Sequence, residues 1–324
     1  MTAGTTTHPG ALDLERHRRE LTGYCYRMLG SAFDAEDAVQ ETLTRAWRAF
    51  ERFEGRSTVR TWLYKIASNV CFDMLNANQR RARPVDLGPA GSVEGPIAEP
   101  LAHAAWVEPM PDDRLVDPVS DPAEQAVTRD SVRLAFVAAI QYLPPRQRAV
   151  LILREVLAWP AKEVADLLGD SVPSVNSALQ RARATLAESQ IDDAELAQRG
   201  QADPELLARY VDAFERYDLE SLTGLIAEDA TQSMPPYPLW LQGRDDIFGW
   251  WVGPGAECRG SKVIPAGTAN GLPAFGQYKP SGPNGEHQPW ALQVLDVVDD
   301  RIVDLTFFLD TERLFPLFGL PPTP

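Results

Sequence analysis

Residues 160–183 read PAKEVADLLGDSVPSVNSALQRAR, and their spacing decides how the helical part of the chain is understood. Counting from Ala161, a small residue stands fifth (Ala165), a glycine ninth (Gly169) and a valine fifteenth (Val175). Two helices joined by a tight turn require this pattern. Ala165 lets the helices approach closely, Gly169 takes a left-handed conformation at little cost, and Val175 pins the second helix onto the first. Val164, Leu167, Leu168 and Leu179 supply the apolar face at helical spacing, and Ser171 is a natural N-cap. The second helix then presents Pro173, Ser174, Asn176, Ser177, Gln180, Arg181 and Arg183, residue types that meet phosphates and base edges in a major groove. An ordinary helical hairpin capped by Gly169 satisfies the same window, so the surrounding sequence has to discriminate.

The 324 residues carry a formal charge of −15, the wrong sign for a DNA-binding chain until it is divided. Residues 12–83 hold 13 Lys/Arg against 10 Asp/Glu, and residues 129–187 hold 8 against 5. Residues 84–128 hold 1 against 9, and residues 188–324 hold 9 against 22. Two mildly basic segments therefore flank an acidic connector, and an acidic tail follows, the kind of asymmetry that separates modules. With so little positive charge the chain should bind bare duplex weakly, because counterion release scales with the phosphates neutralised. It needs a partner. No apolar run approaches the roughly 20 residues that span a bilayer, and MTAGTTTHPGALDLERHRRE lacks the apolar stretch of a signal peptide. Cys25, Cys71 and Cys258 are isolated, with no CxxC pair. That spacing argues against a disulfide framework or zinc site and fits a reducing cytoplasm. No cofactor or metal is expected.

Residues 12–83 read as helices. Leu21, Tyr24, Cys25, Met28 and Leu29 form one stripe, ended by Gly30. Asp34 is expected to cap the next helix, with Glu36 and Asp37 loading its first turn, and Ala38, Val39, Leu43, Ala46, Trp47 and Phe50 continuing it on one face. After a turn at Glu54-Gly55-Arg56-Ser57, a third helix carries Val59, Trp62, Leu63, Ile66, Ala67, Val70, Cys71, Met74 and Leu75 into the basic cluster Arg80, Arg81, Arg83. DAEDAVQETLTRAWRAF followed by RFEGRSTVRTWLYKIASNVCFDMLNANQRR resembles region two of bacterial sigma factors of the extracytoplasmic-function class. That resemblance implies that the acidic helix, with Asp34, Glu36, Asp37, Gln40 and Glu41, docks on the clamp of the RNA polymerase largest subunit. It implies that Arg56 and Ser57 take a flipped base of the melted −10 element, that Asn69, Asp73 and Asn76 face −10 bases, and that Arg80 and Arg81 hold phosphates. Trp62 and Tyr64 beside Lys65 offer aromatic surface and charge to unstacked bases, although Trp62 also fits a core position and the acidic residues also fit a solvated face.

Residues 84–121 are rich in proline and glycine and read as a linker between two bodies. Ile97, Leu101, Trp106 and Met110 look too few for a core. In sigma factors the corresponding linker threads the polymerase cleft; a plain flexible tether is the alternative. Residues 122–187 are helical again. Asp121-Pro122 opens a helix with Ala126, Val127, Val132, Phe136 and Ile140, and Tyr142-Leu143-Pro144-Pro145 breaks it. LPPRQRAVLILREV before the helix-turn-helix resembles the region-four domain that reads the −35 element and meets the polymerase flap. Asp170 departs from the apolar residue usual at that turn, which points it to solvent or to the cap of the second helix. Pro173 sits in a first turn, where its missing N–H goes unneeded.

A further 137 residues lie beyond residue 187. Asp203-Pro204 opens a helix lined by Leu206, Leu207, Tyr210, Val211, Phe214 and Tyr217. Leu219, Leu222, Leu225 and Ile226 are expected on a second helix. Strand-like pieces follow, with a hairpin turn at Asp299-Asp300, so helices precede a meandering sheet in an α+β layer. This order, with MPPYPLWLQGRDDI and ANGLPAFGQY, is similar to SnoaL-like domains of the nuclear-transport-factor fold, cones curled around an apolar pocket. Asp229, Tyr237, Trp240, Trp251 and Tyr278, with His287 and Trp290, are the pocket candidates, and Asp229 is the one placed to be a base. A cyclase or isomerase needs such a base aimed into an apolar cavity; an exposed helix end at Asp229 and a surface loop at His287 are the plainer readings. The expectation is a multidomain chain. Residues 12–83 and 122–187 form two all-α domains joined by the linker 84–121, and residues 203–324 form the α+β cone. Together they serve promoter-directed initiation with core RNA polymerase and promoter DNA rather than catalysis. The third domain regulates by contact with the sigma core, with a small-molecule ligand or cyclase activity as runner-up.

Overall fold

The computed structural model describes residues 14–77, 80–115, 131–188 and 202–324. The expected helix start at Asp121-Pro122, with Ala126 and Val127, lies outside the described residues. Contacts divide the chain into two units, one holding the chain up to Arg81 and from Val107 to Ile191, the other holding Ala82–Trp106 and the chain from Asp192 onward.

The first unit is all helix. Helix α1 (Arg18–Leu29) ends where Gly30, at φ 70°, turns its N–H back to the Tyr26 carbonyl at 2.7 Å. Helix α2 (Ala32–Ala49) is capped by Ser31, whose hydroxyl accepts the Asp34 N–H at 3.1 Å. This corrects the expectation that Asp34 is the cap: it sits one turn inside the helix, where its carboxylate accepts from Arg81 at 2.6 Å. Helix α3 (Val59–Ala77) completes the first bundle. Leu21, Tyr24, Cys25 and Met28 of α1 meet Val39 and Leu43 of α2 and Leu63, Ala67 and Cys71 of α3, all buried. Both cysteines are free thiols, and burial pushes the Cys71 thiol well up. The second bundle holds α4 (Leu134–Ile140), α5 (Pro145–Leu151), which widens into a π-type turn at Ile152–Val156, α6 (Ala161–Leu168) and α7 (Val172–Glu188). The break between α4 and α5 falls at the two prolines, which lack the N–H a continuous helix would need.

Two buried guanidiniums join the bundles. On α5, Arg148 donates Nη1 to the Met28 carbonyl at the end of α1 and to Gln141 Oε1 at 2.6 Å, and Nη2 to the carbonyls of Gln141 (2.9 Å) and Leu143 (3.2 Å). Gln141 Nε2 in turn donates to the Arg27 carbonyl at 3.2 Å. Arg27 donates Nη2 to the Ser131 hydroxyl at 2.7 Å and Nε to the Ser131 carbonyl at 3.1 Å. These acceptors are neutral, and burial pushes both guanidiniums down to about 10. A cation taken out of water on these terms is tolerated only while its hydrogen bonds are intact.

The second unit is α+β. Helix α8 (Pro204–Arg216) starts at Asp203, whose carboxylate accepts the Glu205 N–H at 2.9 Å. Helix α9 (Leu219–Thr223) stops short of Leu225 and Ile226, so the second helix is shorter than its apolar spacing suggested. Strand β1 (Ile226–Ser233) begins at once and is followed by β2 (Trp240–Gln242), α10 (Arg244–Val252), β3 (Lys262–Ala269), β4 (Leu272–Pro280), β5 (His287–Val298), β6 (Arg301–Phe308) and α11 (Thr311–Leu317). The sheet order is β2-β1-β6-β5-β4-β3, with β1 parallel to β6 and every other pair antiparallel. Asp299 and Asp300 both take positive φ (48° and 57°), the conformation a two-residue hairpin needs between β5 and β6. One face of the sheet closes over Tyr210, Phe214, Trp251, Leu295, Leu305 and Phe307.

The segment Ala82–Trp106 folds with this unit, so over this part of the linker read across residues 84–121 the plain flexible tether does not apply. Gly91 N–H donates to the Trp240 carbonyl (2.8 Å), Trp240 Nε1 donates to the Gly88 carbonyl (2.9 Å), and Leu101 N–H donates to the Pro236 carbonyl (2.9 Å). Strand β2 is a sheet edge with unpaired backbone groups, and an extended proline-rich chain supplies partners without needing its own core. Trp106 and Met110 are buried, so these isolated apolar residues anchor on surfaces made elsewhere in the chain. Arg148→Ala is expected to destabilise the helical unit by about 2–4 kcal/mol, since it leaves the Gln141 side chain and the Met28 and Leu143 carbonyls without their donor. A fall in the urea midpoint followed by circular dichroism checks this, with Arg148→Lys restoring only part.

Candidate nucleic-acid interface and third-domain pocket

Helix α3 buries Leu63, Ala67, Val70 and Cys71 and leaves Lys65, Asn69, Asp73 and Asn76 exposed. Steps of four, four and three residues put those side chains in one row. Trp62 stands half-buried at the head of the row, its ring 4.8 Å from Phe53 and 6.4 Å from Phe50. Arg56 and Ser57 are exposed in the preceding loop, and Arg56 pairs with Glu54. Arg45 of α2 reaches across to Asp73 at 3.5 Å while holding Glu41 at 2.6 Å.

Three neighbours of the row behave otherwise. Tyr64 is fully buried between Tyr24 (ring centroids 5.2 Å apart) and Trp159 (4.9 Å), so it offers no surface to a base; burial raises its phenol well above the usual range. Arg81 is buried against Asp34 at 2.6 Å. Arg80 lays its guanidinium over the Tyr142 ring, 3.1 Å from the centroid. Arg81 is thus engaged inside the helical unit, whereas Arg80 remains exposed beside the ring it covers. Arg60, which the sequence reading passed over, covers both Tyr64 (5.4 Å) and Trp159 (5.1 Å) and pairs with Glu20 at 2.6 Å.

On α2, Asp37 and Gln40 are exposed and Asp34, Glu36 and Glu41 half-buried, with Glu36 held by Arg114 at 3.0 Å. Trp47 is 58% exposed. The sequence placed it in the apolar stripe, yet the buried stripe runs through Ala35, Ala38, Val39, Thr42, Leu43 and Ala46, which leaves Trp47 on the acidic side with Asp37 and Gln40. The signal was available, because a step of seven from Gln40 is two full turns.

The helix-turn-helix has the geometry its spacing required. Gly169 takes φ 66° and ψ 40°, and its N–H bonds back to the Ala165 carbonyl. Val164, Ala165, Leu167, Val175 and Leu179 are buried. Ser171 Oγ accepts the Ser174 N–H at 3.3 Å, and Asp170 accepts the Ser171 N–H at 2.8 Å. That backbone bond, helped by Ser174, lowers the Asp170 carboxyl below its usual range, so the residue that departs from the pattern supports the start of α7 from solvent. Pro173, Asn176, Ser177, Gln180, Arg181 and Arg183 are exposed and Ser174 half-exposed; Arg183 pairs with Glu155 at 2.6 Å.

The second unit encloses a cavity of about 660 Å³, with Phe214, Trp250, Trp251, Gln232, Gln277, Lys279 and Phe307 among its walls and Ile97, Pro100 and His103 of the segment 82–106 at its mouth. Of the five pocket candidates, Tyr237 and Trp251 line it. Asp229 lies on β1 with its side chain exposed, away from the cavity, because the strand starts where a helix was expected. Trp240 holds the segment at Gly88, and Tyr278 points to the other side of the sheet, against the Phe315 ring at 5.2 Å and the Pro321 carbonyl at 2.7 Å. His287 bonds the Gly260 carbonyl at 2.9 Å outside the cavity, whereas Trp290 lines it. Two polar side chains that the sequence reading passed over line the cavity, Gln232 and Gln277: Gln232 accepts from Trp251 Nε1 at 2.6 Å, and Gln277 is tied by bonds of 2.9–3.0 Å to buried Ser261 and Gln293, the latter bonded to Tyr210.

Family models match three stretches: Sigma-70 region 2 over residues 14–81, Sigma-70 region 4 over 133–186, and a SnoaL-like domain over 207–305. The chain is similar to the ECF RNA polymerase sigma factor SigG of Mycobacterium tuberculosis, at 46% identity over 95% of this chain and 82% of that protein. The RNA polymerase sigma-H factor of Pseudomonas aeruginosa is 29% identical over 52% of this chain and 79% of its own length. The crystal structure of the extracytoplasmic function sigma factor SigJ of M. tuberculosis matches with a TM-score of 0.57 at 22% identity, covering 96% of this chain and 99% of that one, a likeness of fold. At Gly169 a β-carbon meets no heavy atom within 4 Å, so Gly169→Ala costs backbone strain alone. It is expected to destabilise the helical unit by about 1 kcal/mol, with Gly169→Asn closer to the parent, in urea titrations.

Proposed function

The chain belongs to the extracytoplasmic-function sigma factors of bacterial RNA polymerase, and on that premise we propose that α3 and α7 are its two promoter-reading elements. The exposed row Lys65, Asn69, Asp73, Asn76 carries this reading. Four polar side chains on one face of a helix otherwise committed to core packing are placed to meet melted −10 bases, with Arg56 and Ser57 in the loop before them. Asn176, Ser177, Gln180 and Arg181 on α7 read the −35 element in the major groove, flanked by Pro173, Ser174 and Arg183. The acidic face of α2, with Asp34, Glu36, Asp37, Gln40 and Glu41, docks on the polymerase clamp. Trp47 supplies the apolar anchor that such an interface needs at its centre.

Promoter binding requires a rearrangement. The two elements are about 25 base pairs apart, roughly 85 Å at about 3.4 Å per pair, whereas α3 packs directly on α6, the first helix of the helix-turn-helix. Bundles joined through Arg148 and through the Tyr64–Trp159 contact cannot reach both elements at once. Polymerase binding separates them and in doing so releases Arg80 from the Tyr142 ring and Arg81 from its buried site, leaving both to hold phosphates. The third domain regulates this step by holding residues 82–106, the chain that in the family threads the polymerase cleft. Binding and regulation, carried out in the cytoplasm, are the role of the chain. Catalysis is disfavoured because Asp229 lies outside the cavity, Glu257 and Glu312 are exposed, and Asp310 is already paired with Arg313 and His103.

Run-off transcription with core polymerase tests the assignment. Asn69→Ala and Gln180→Ala are each expected to lower promoter-dependent transcript by about 5- to 100-fold with folding unchanged; wild-type output from both variants refutes it. Trp47→Ala is expected to leave the urea midpoint within about 0.5 kcal/mol of the parent while weakening core-polymerase binding at least tenfold in a fluorescence titration. Truncation after Glu188 is expected to change promoter output.

A further inference from the structure

The cavity of the second unit holds a charge that neither the fold nor promoter reading uses. Lys279, on β4, is 11% exposed at its side chain, with its ammonium 4.0 Å from the centre of the Trp290 ring. Its carboxylate partner, Glu257 at 3.0 Å, is 82% exposed. An ion pair with one member in water contributes at most about 1 kcal/mol. The ammonium thus sits in an apolar wall with a partner that can swing into solvent at little cost. Phe214, Trp251 and Phe307 line the same cavity, the first two meeting edge to face with centroids 5.4 Å apart. Gln277 brings an amide already tied to Ser261 and Gln293. The remaining charges on the lining, Asp310 and Glu312 with His103, stand at the mouth, where Asp310 is held by Arg313 at 3.2 Å and His103 at 3.3 Å. Asp310, 17% exposed at its side chain, is already paired with Arg313 and His103, and Glu312 is exposed, whereas the partner of buried Lys279 stands in water; a charge out of water interacts several times more strongly with a ligand.

We propose that this cavity binds a planar aromatic or polycyclic monocarboxylate, its rings against the wall formed by Phe214, Trp251 and Phe307 and its carboxylate on Lys279 in place of Glu257. A volume of about 660 Å³ is in the range of sites for drug-sized molecules and admits two or three fused rings. The ligand also touches the segment 82–106, since Ile97, Pro100 and His103 close the mouth. Occupancy therefore bears on how firmly that segment is held. This last consequence rests on the regulatory reading above; the binding itself does not.

Titration of the full chain with 2-naphthoate, biphenyl-4-carboxylate and anthracene-9-carboxylate, each beside its primary amide and its aminomethyl analogue, tests the inference through quenching of tryptophan fluorescence and calorimetry. At least one acid is expected to bind ten or more times more tightly than its amide and its amine. Lys279→Met is expected to erase that preference while amide binding persists, and Lys279→Arg to retain it, with circular dichroism confirming that each variant folds. Equal binding of acid and amide, tighter binding of the amine, no binding by any acid, or a preference that survives Lys279→Met overturns the proposal. Run-off transcription by the same variants reports separately on the sigma function, so loss of promoter output with intact acid preference faults the functional reading and not the site.

Discussion

The helical unit depends on where the positive charge of Arg148 goes. Its guanidinium is buried among carbonyls from both bundles: the last turn of α1, the corner after α4, and the side chain of Gln141. Planar fork geometry suits this task, since several donors in one plane satisfy acceptors that an ammonium, a point donor, would leave open. The arrangement is directional and fragile. An apolar contact loses energy gradually as surfaces part, but a buried cation that loses its acceptors before water reaches it passes through a costly state. Two bundles held in this way stay closed until a partner pulls them apart, and then part together.

Most of the architecture was legible. Helical spacing gave the buried stripes of α1 and α3, Gly169 and Val175 gave the turn, and Asp299-Asp300 gave the hairpin, because each follows from backbone sterics or period alone. The misplacements have a common cause in tertiary context. Asp34 looked like a cap because it is acidic and precedes an apolar run; Ser31 had the same chemistry three residues earlier, and Arg81, 47 residues away, claimed the carboxylate. Tyr64 was misplaced for a similar reason: Trp159, far along the chain, covers it, and no local pattern carries that information, whereas the exposure of Trp47 follows from helical period. Asp229 failed because Leu225 and Ile226 fit a helix face as well as the entry to a strand, and the parallel pairing of β1 with β6 settled it.

The candidate residues divide along the same line. Lys65, Asn69, Asp73 and Asn76, and Asn176, Ser177, Gln180 and Arg181, could be named in advance as exposed positions, since exposure on an amphipathic helix is a periodic property. The interior of the third-domain cavity could not. Lys279, Gln232 and Gln277 sit on strands whose two faces are both largely covered, one by the cavity and its helices and the other in part by α11, and there alternation no longer tells a pocket residue from a core one. The apolar residues scattered along 82–106 were equally opaque, their partners lying more than a hundred positions away.

That segment also fixes an order of events in the life of each molecule. Residues 82–106 leave the ribosome well before the sheet that receives them, and β6 ends at Phe308. At about 5–20 residues per second the delay is on the order of ten to forty seconds, during which the segment has nothing to fold on. In every nascent chain the segment therefore stays unpacked for that interval, and its bonds to Trp240 and Pro236 form only once the sheet has emerged. The helical unit, whose last helix ends at Glu188, is made first and is free to pack before the segment has anywhere to bind.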